Sequence, residues 1–172
     1  YTTLFRSGED VDKRSKSVED FWNGGKLKKH SNVQFGEGGA GTFSDGKLNT
    51  LVKDKYGRNK KVLEIFVENG APENILYEAK PHIGTDILKT VIKNMRNRIL
   101  EWGGEVCFES TVTDIIFENN FIKGIKINDE TVVETECVVL AIGHSARDTF
   151  EMLYKKGVTM EAKEFAVGFR VE

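Results

Sequence analysis

The segment from residue 36 to residue 50 holds the residue types that most directly suggest chemistry. Five glycines fall within its first 11 residues, interleaved with hydroxyl side chains and followed by Lys47. Glycine allows positive φ angles and brings backbone N–H groups close to a ligand. Consecutive free N–H groups form a concave site for anions. The segment therefore predicts a phosphate-binding loop, and a flexible surface loop is the alternative that composition leaves open.

Two standard phosphate-loop motifs do not describe this segment. Leu48 stands where a Walker loop has Ser or Thr. The G-x-G-x-x-G motif follows a hydrophobic strand in its usual setting, and no such strand precedes Gly36. Residues 36–50 therefore form a Gly-rich loop outside both motifs.

Three histidines are the remaining side chains suited to proton transfer. His82 follows Pro81 just before a predicted helix and could act as an acid, a base or an anion contact. An ordinary hydrogen-bonded loop histidine is the alternative, and the same two interpretations apply to His144. His30 lies in a lysine-rich run that is typical of a surface. No Ser–His–Asp, Cys–His or metal-ligand spacing is present, so we expect neither those chemistries nor a metal site.

Helices are predicted on both sides of the Gly-rich loop. The longest, over 85–102, has apolar residues at spacings of three and four, and Gly103-Gly104 ends it. A similar face predicts a helix over 61–69. Capping boxes at 17–20 and 145–148 predict a short helix through Trp22 and a closing helix.

Strands follow the long helix. The predicted strands cover residues 105–109, 111–117, 121–127 and 131–136. The strands after residue 110 are expected to form an antiparallel meander with one solvent-exposed face. The run 137–143 differs, because six consecutive apolar residues end in Gly143. That pattern is typical of a strand buried on both faces of a parallel sheet, whose carboxyl end could meet a nucleotide. An interior strand with an ordinary Gly turn is the alternative.

Composition and charge limit the possible partners. The chain has 172 residues with 39% hydrophobic and 30% charged residues, typical of an ordinary folded protein. The net charge of −2 argues against a general nucleic-acid binder. Residues 1–61 carry 13 basic against 8 acidic residues, which could attract a phosphorylated ligand or simply form a solvated surface.

Cysteine usage and the absence of long apolar runs suggest a location. Cys107 and Cys137 are far apart in the sequence, which predicts two small buried thiols of a protein in a reducing compartment. No run approaches a membrane span, and no stretch near the start has signal-peptide layout. We therefore expect a cytoplasmic protein with no membrane partner. Both ends of the chain are abrupt, so we also expect a piece of a longer protein.

The order of these elements resembles the middle of a glutathione-reductase-type FAD-binding domain. The stretch Ala141-Ile142-Gly143 resembles the ATG motif of such flavoproteins, with Ile in place of Thr. More narrowly, residues 32–48, 81–86 and 143–148 resemble the bacterial FAD-dependent, or NAD(FAD)-utilising, dehydrogenases. The resemblance implies an α/β fold with a FAD/NAD(P)-binding-domain-like parallel sheet, an antiparallel β-meander and the start of a second, substrate-type domain, truncated at both ends.

The resemblance also implies domain boundaries. Residues 1–60 would be a partial FAD-binding region with the Gly-rich loop, and residues 61–84 a helical insertion toward the substrate domain. Residues 85–157 would supply the helix, meander and closing strand of the FAD-binding domain, and residues 158–172 would begin the second domain.

The residue roles implied by the resemblance concern FAD. Backbone groups of Val112 would meet the adenine, and the 141–143 turn would pass under the cofactor. The Gly-rich loop would approach the pyrophosphate or the isoalloxazine edge through Gly38, Gly39, Ala40, Gly41, Thr42, Ser44, Asp45 and Gly46. Lys47 would lie near the developing negative charge of reduced flavin. Lys47 and His82 are the candidates for a catalytic role.

Function follows from this resemblance as a set of expectations. The whole protein would be a FAD-dependent oxidoreductase acting on a small-molecule substrate, with NAD(P)H as a reductant. A non-catalytic nucleotide- or phosphate-binding module is the alternative, and a plain interaction domain is a third class. The G-x-G-x-x-G turn of such flavoproteins is missing from the start of the chain, and Arg6 falls near the position of their ribose-binding acid.

Overall fold

A computed structural model describes residues 2–43, 46–48, 50, 54–164 and 168. The chain divides into two compact units, Tyr1–Thr111 and Val112–Glu172. The fold is mixed α/β, with one parallel and one antiparallel sheet. Within the described residues, no helix is long and apolar enough to cross a membrane.

The parallel sheet belongs to the first unit. Strand β1 (Thr3–Phe5) pairs in parallel with β2 (Glu105–Cys107), and Leu4 lies opposite Val106. The predicted strand at 105–109 is therefore confirmed in its first half. Parallel strands need a long crossover connection, and here the whole helical part of the unit lies between them.

Three α-helices fill this connection. They are α1 (Val11–Trp22), α2 (Arg58–Glu68) and α3 (Thr85–Glu101). The apolar stripe of α3 packs as predicted, because Leu88 and Val91 are buried in the core of the unit. The other buried members of that core are Ala71, Ile75 and Ile83. Gly103 ends the α3 segment with a φ of +78°.

Helix α1 runs through Trp22 as predicted, and the segment 17–20 continues the helix rather than opening it, because the helix begins six residues earlier. Asp10 is the N-cap, and its carboxylate accepts hydrogen bonds from the N–H groups of Asp12 and Lys13. The Ser17 hydroxyl lies inside the helix and donates to Glu9. An acidic cap that binds two orphan N–H groups outcompetes a serine that has a tertiary partner.

The predicted meander forms the second unit. Strands β3 (Val112–Glu118), β4 (Phe121–Ile127) and β5 (Thr131–Glu134) pair antiparallel in that order. The predicted Asn119-Asn120 turn is confirmed, with φ angles of 50° and 66°. Helix α4 (Arg147–Lys155) packs on β3. The apolar residues buried in this unit are Ile115, Ile125, Ile127, Ala146 and Leu153.

The run 137–143 is not a strand in this structure. Residues 137–143 join no sheet, and Val139 is 87% exposed. A strand that is apolar on both faces needs partners at both edges and cover on both faces, and the described residues supply neither. Cys137 is exposed rather than buried, while Cys107 is partly buried.

Two helix starts also lack their predicted caps. Gly84 and Ala146 are the N-cap residues of α3 and α4, and neither helix has a side-chain cap hydrogen bond. The sequence predicts Thr85 or Asp86 as the cap of the long helix and Ser145 as the cap of the closing helix, and none of them caps its helix.

Gly8 allows a close approach of two backbones just after β1. A Cβ built on Gly8 would lie 2.1 Å from the carbonyl oxygen of His30 and 2.7 Å from the Cα of Gly36. Backbone atoms cannot move aside as a flexible side chain does. Gly8 is therefore required for the Gly-rich loop to lie against the end of β1.

Gly8→Ala should lower the free energy of unfolding by about 1–3 kcal/mol through overpacking. Gly41→Ala is the control, because its Cβ would meet open space, and a change within about 1 kcal/mol is expected there. Urea denaturation of both variants measures the difference. Equal stabilities would mean that the contact at Gly8 does not hold the loop.

Candidate functional site

The Gly-rich loop is fixed at the carboxyl end of the parallel strand pair. The N–H of Glu37 donates to the carbonyl of Glu9 at 3.1 Å. Gly8, the preceding residue, accepts a hydrogen bond from the N–H of Glu109, just beyond β2. Open α/β sheets bind their ligands outside the carboxyl ends of the strands. The loop therefore lies where a ligand of this sheet would bind.

Arg14 is the buried centre of this region. Its side chain is fully buried and donates from Nε to the carbonyl of Asn32 at 2.9 Å and from Nη1 to that of Glu37 at 2.5 Å. The guanidinium carbon lies 4.7 Å from the ring centroid of Phe43. Burial lowers the pKa of Arg14 to about 10 against the opposing effect of the Glu37 charge, so the group stays cationic near neutral pH.

Glu37 balances part of this charge. Its buried carboxylate accepts hydrogen bonds from the N–H of Val11 at 2.7 Å and from Arg96 at 2.8 Å. Burial raises the pKa of Glu37, and the bonds from Val11 and Arg96 oppose that rise. With Arg14 and Arg96 both cationic, the cluster keeps a net positive charge. A site that favours anions results.

Two buried polar atoms of this cluster have no hydrogen-bond partner within the described part of the chain. They are Arg14 Nη2 and Thr42 Oγ1, and both side chains are fully buried. Thr42 lies under Gly38, whose φ is +84° and whose added Cβ would lie 2.2 Å from the Thr42 hydroxyl. Unpaired buried donors are rare in native proteins and point to a water or ligand that the site would hold.

The predicted cofactor-binding residues of the loop divide into three groups. Thr42 is buried, and a Cβ added to Gly38 would collide with it, whereas a Cβ on Gly39 or Gly41 would meet no atom. Ala40 begins a 3₁₀ turn that runs to Phe43. Ser44 and Asp45 lie outside the described residues. The N–H of Gly39 donates to the carbonyl of Gly36 at 3.1 Å, so it is already used within the loop.

The structure brings the two catalytic candidates together. Lys47 and His82 are partners in an isolated antiparallel bridge. Gly46, the last cofactor-binding candidate of the loop, packs on Gly84, and a Cβ added to Gly46 would lie 3.1 Å from the Gly84 nitrogen. The spacing from Gly41 to Lys47 matches a Walker loop, but Lys47 enters this bridge rather than a helix. The sequence-based exclusion of a Walker loop therefore agrees with the local structure.

The remaining predicted residues belong to the second unit. Val112 begins β3 and lies opposite Ile127 of β4. Ala141 and Gly143 are exposed, and Ile142 is partly buried. His144 is exposed and contacts the hydroxyl of Ser145 at 3.2 Å.

The carboxylate of Glu9 holds the segment that precedes the Gly-rich loop against α1. This carboxylate accepts hydrogen bonds from Lys28 at 2.7 Å, from Ser17 at 2.5 Å and from Ser31 at 2.7 Å. Burial alone would raise the pKa of Glu9, but these bonds lower it to about 2. Glu9 is the first acidic residue after β1, and both oxygens of its carboxylate already accept hydrogen bonds from other side chains of the first unit.

Sequence reasoning missed Arg14, Glu37, Arg96 and Glu9. A signal for Arg14 was present, because it lies three residues after Val11 and four before Val18 on the buried face of α1. A charged residue within an apolar stripe is worth testing as a buried anchor. Arg96 on α3 had no such signal, since its partner lies 59 residues away in the sequence.

Comparisons with known proteins give one relative and one fold. No family model matches the chain. An uncharacterized protein of Clostridium beijerinckii is 52% identical over 169 residues, which cover 98% of this chain and 31% of that protein. A glycine oxidase structure from Bacillus cereus matches with a TM-score of 0.50 at 18% identity, covering 91% of this chain and 59% of that chain. The second match is a similarity of fold.

Glu9 should make stability depend on pH. Because its pKa is lower in the folded chain than the ordinary 4.5, the ionised carboxylate stabilises the fold above about pH 4.5 and loses this effect as the pH falls toward 2. Glu9→Gln should lower the free energy of unfolding at pH 7 by about 1–3 kcal/mol. The deficit relative to the unmodified chain should shrink as the pH is lowered through this range.

Glu19→Gln, at an exposed position of α1, is the control for that experiment. Urea denaturation between pH 7 and pH 3 provides the measurement. A deficit that stays constant with pH would contradict the assignment of the low pKa to Glu9.

Proposed function

We propose that this chain is part of a FAD-dependent oxidoreductase and that its Gly-rich loop contacts the dinucleotide. The observation that carries the proposal is the anchoring of the loop at the carboxyl end of β1, through the hydrogen bond from Glu37 to Glu9. The fold similarity to a glycine oxidase, an oxidoreductase by its name, supports the redox part. The sequence resemblance to bacterial FAD-dependent, or NAD(FAD)-utilising, dehydrogenases supports the choice of FAD.

The first unit fits an anionic cofactor. Arg14 and Thr42 each hold a buried polar atom without a partner in the described residues. Gly39 and Gly41 of the same loop have open space where a side chain would lie. A dinucleotide carries a pyrophosphate, whose oxygens would accept hydrogen bonds from Arg14 Nη2 and Thr42 Oγ1. Gly38, Thr42 and their neighbours up to Gly46 would hold this part of the cofactor, and the net positive cluster beneath would stabilise its charge.

The second unit would supply the remaining contacts. Backbone groups of Val112 would bind the adenine, and the segment Ala141–Ile142–Gly143 would pass beneath the cofactor. In the full-length protein, further strands would pair with residues 137–143, which lie unpaired in this structure. The domain boundaries near residues 60, 84 and 157 belong to the same proposal.

The division of chemistry between cofactor and protein is simple. A bound flavin supplies the hydride transfer, with NAD(P)H as reductant and a small molecule as substrate. The residues of this chain bind and orient. Arg14 holds the loop closed over the cluster, and Glu37 fixes Arg96. The loop would exclude water from the side of the cofactor that it contacts. A location in the cytoplasm agrees with this role.

A non-catalytic nucleotide- or phosphate-binding module is the second candidate. The unpaired donors of Arg14 and Thr42 in the described part of the chain favour an anion without requiring a redox group. The two candidates differ in one observable property. An oxidoreductase retains a flavin that a reductant bleaches, whereas the module binds nucleotides without visible colour.

The full-length protein that contains this chain should purify yellow, with flavin absorbance that dithionite removes. Arg14→Lys should lower its FAD content at least tenfold, because one ammonium cannot replace the two bonds from Nε and Nη1. Lys16→Gln, exposed on the same helix, should retain the flavin. Absorbance spectroscopy after gel filtration measures the content. A colourless full-length protein that binds mononucleotides would favour the second candidate.

The 172-residue chain alone should bind FAD more weakly than about a micromolar dissociation constant. Its described residues contain no Gly-rich turn joining a strand to an α-helix, the element that seats a pyrophosphate on a helix N-terminus. Loss of a few kcal/mol brings a nanomolar site to this range, since each ~1.4 kcal/mol is tenfold in affinity. Calorimetric titration with FAD is the measurement, and tighter stoichiometric binding would contradict the placement of the cofactor.

A further inference from the structure

A cavity of about 430 Å³ lies where the end of α2 meets the second half of α3. Helix α3 contributes the side chains of Asn94, Asn97, Arg98 and Glu101 to its lining. These positions are three and four residues apart, so they lie on one face of the helix. The volume falls within the ~300–1,000 Å³ range of small-molecule sites. None of the lining residues belongs to the Gly-rich loop or to its anchors.

Two contacts between α3 and the end of α2 hold the cavity in shape. The side-chain nitrogen of Asn94 donates to the carbonyl oxygen of Asn69 at 2.9 Å. One turn further along α3, Arg98 Nη1 donates to the Glu68 carboxylate at 2.9 Å. Asn69 is buried, and its own side chain donates to the carbonyl of Ile65. This part of the lining is therefore preformed, which reduces the entropic cost of binding a ligand.

Two polar side chains of the lining are available to a ligand. Asn97 and Glu101 are exposed, and neither side chain has a hydrogen bond or an ion pair within the described part of the chain. A carboxamide donates and accepts hydrogen bonds, and a carboxylate accepts them. An apolar ligand would take both groups out of water without replacing their hydrogen bonds, whereas a ligand with several hydroxyl groups can bond to each.

The lining carries no strong charge of either sign. The Glu68 carboxylate is paired with Arg98 at 2.9 Å and with Lys61 at 3.4 Å. The hydrogen bonds from Arg98 and Lys61 lower the pKa of Glu68, so this pairing persists at neutral pH. Glu101 is the remaining charged residue of the lining, and its exposure to solvent weakens its attraction for an ion. A neutral ligand therefore suits the cavity better than an ion.

Trp102 supplies a flat apolar surface to the lining. The residue is 70% exposed, and the guanidinium carbon of Arg98 lies 4.8 Å from its ring centroid. This cation–π contact restricts the orientation of the indole and leaves most of it open to a ligand. A sugar ring has an apolar face of C–H groups and a rim of hydroxyl groups. Such a ligand can pack on the indole while its rim bonds to the polar side chains.

We propose that this cavity binds a monosaccharide or a similar ring-shaped polyol. Trp102 packs against the C–H face of the ring, and the side chains of Asn97 and Glu101 bond to its hydroxyl groups. The site goes beyond the proposed function and does not depend on a flavin, because it shares no residue with the cluster assigned to the cofactor.

The test uses the full-length protein, labelled with 5-fluorotryptophan, and fluorine nuclear magnetic resonance. The signals of Trp102 and Trp22 are identified by their loss in Trp102→Phe and Trp22→Phe. The Trp102 signal should shift as glucose, galactose or inositol is added, and the Trp22 signal should not. The best of the three ligands should bind with a dissociation constant of about 0.1–10 mM, which corresponds to a few hydrogen bonds and one stacked ring.

Substitutions then locate the site, with binding measured by saturation transfer to the ligand signals. Asn97→Ala and Trp102→Ala should each raise the dissociation constant of the best ligand at least fivefold. Trp102→Phe keeps a flat ring and should stay within threefold. Asn59→Ala, exposed on α2 outside the cavity, is the matched control and should bind like the unmodified protein. Thermal melting of every variant checks that these exposed substitutions leave the fold intact.

The proposal is wrong if none of the three ligands shifts the Trp102 signal, which is the result expected when another segment of the full-length protein fills the cavity. Binding by Asn97→Ala and Trp102→Ala that equals binding by Asn59→Ala would also contradict it. A larger shift with acetate or guanidinium than with any of the three polyols, at the same concentration, would assign the cavity to an ion instead.

Discussion

The first unit depends on one buried cation. Arg14 binds two backbone carbonyls that are five residues apart in the loop and stacks on Phe43. A fully buried guanidinium is stable only when it is paired and hydrogen-bonded. Main-chain oxygens of Asn32 and Glu37 meet this requirement for Nε and Nη1, and the charge of Glu37 opposes the effect of burial, so the conformation of the loop and the tolerance for the charge depend on each other. A Cβ added to Gly36 would collide with the Arg14 side chain, and one added to Gly38 would collide with the Thr42 hydroxyl.

The same arrangement separates rigid from approachable parts of the loop. Its first half is fixed by Arg14 from α1 and by Glu37, which Arg96 of α3 holds. Its far end is fixed by the bridge at Lys47. Between these anchors, Gly39 and Gly41 have open space where a side chain would lie. Because the loop is already held at both anchors, a ligand that binds there does not carry the full entropic cost of ordering it.

Local patterns predicted most elements, and long-range contacts account for the failures. The periodicity of α3 and the Asn119-Asn120 turn depend on neighbours in the sequence, and both predictions are confirmed. The run 137–143 carried a clear strand pattern, yet a strand forms only where partners exist. For the site, composition identified the Gly-rich loop. It could not reveal Arg14 or Arg96, whose roles arise from partners 18 to 59 residues away.

The two sheets impose different folding times. The meander closes through turns of two or three residues, which hairpins complete in about 1–10 μs. Strand β1 instead pairs with a strand 102 residues further along, from Thr3 to Glu105. Contacts of such long sequence separation form late, because the loop-closure entropy is lost before the contact contributes. Strand β1 therefore stays unpaired until β2 is in place, long after the hairpins of the meander can form.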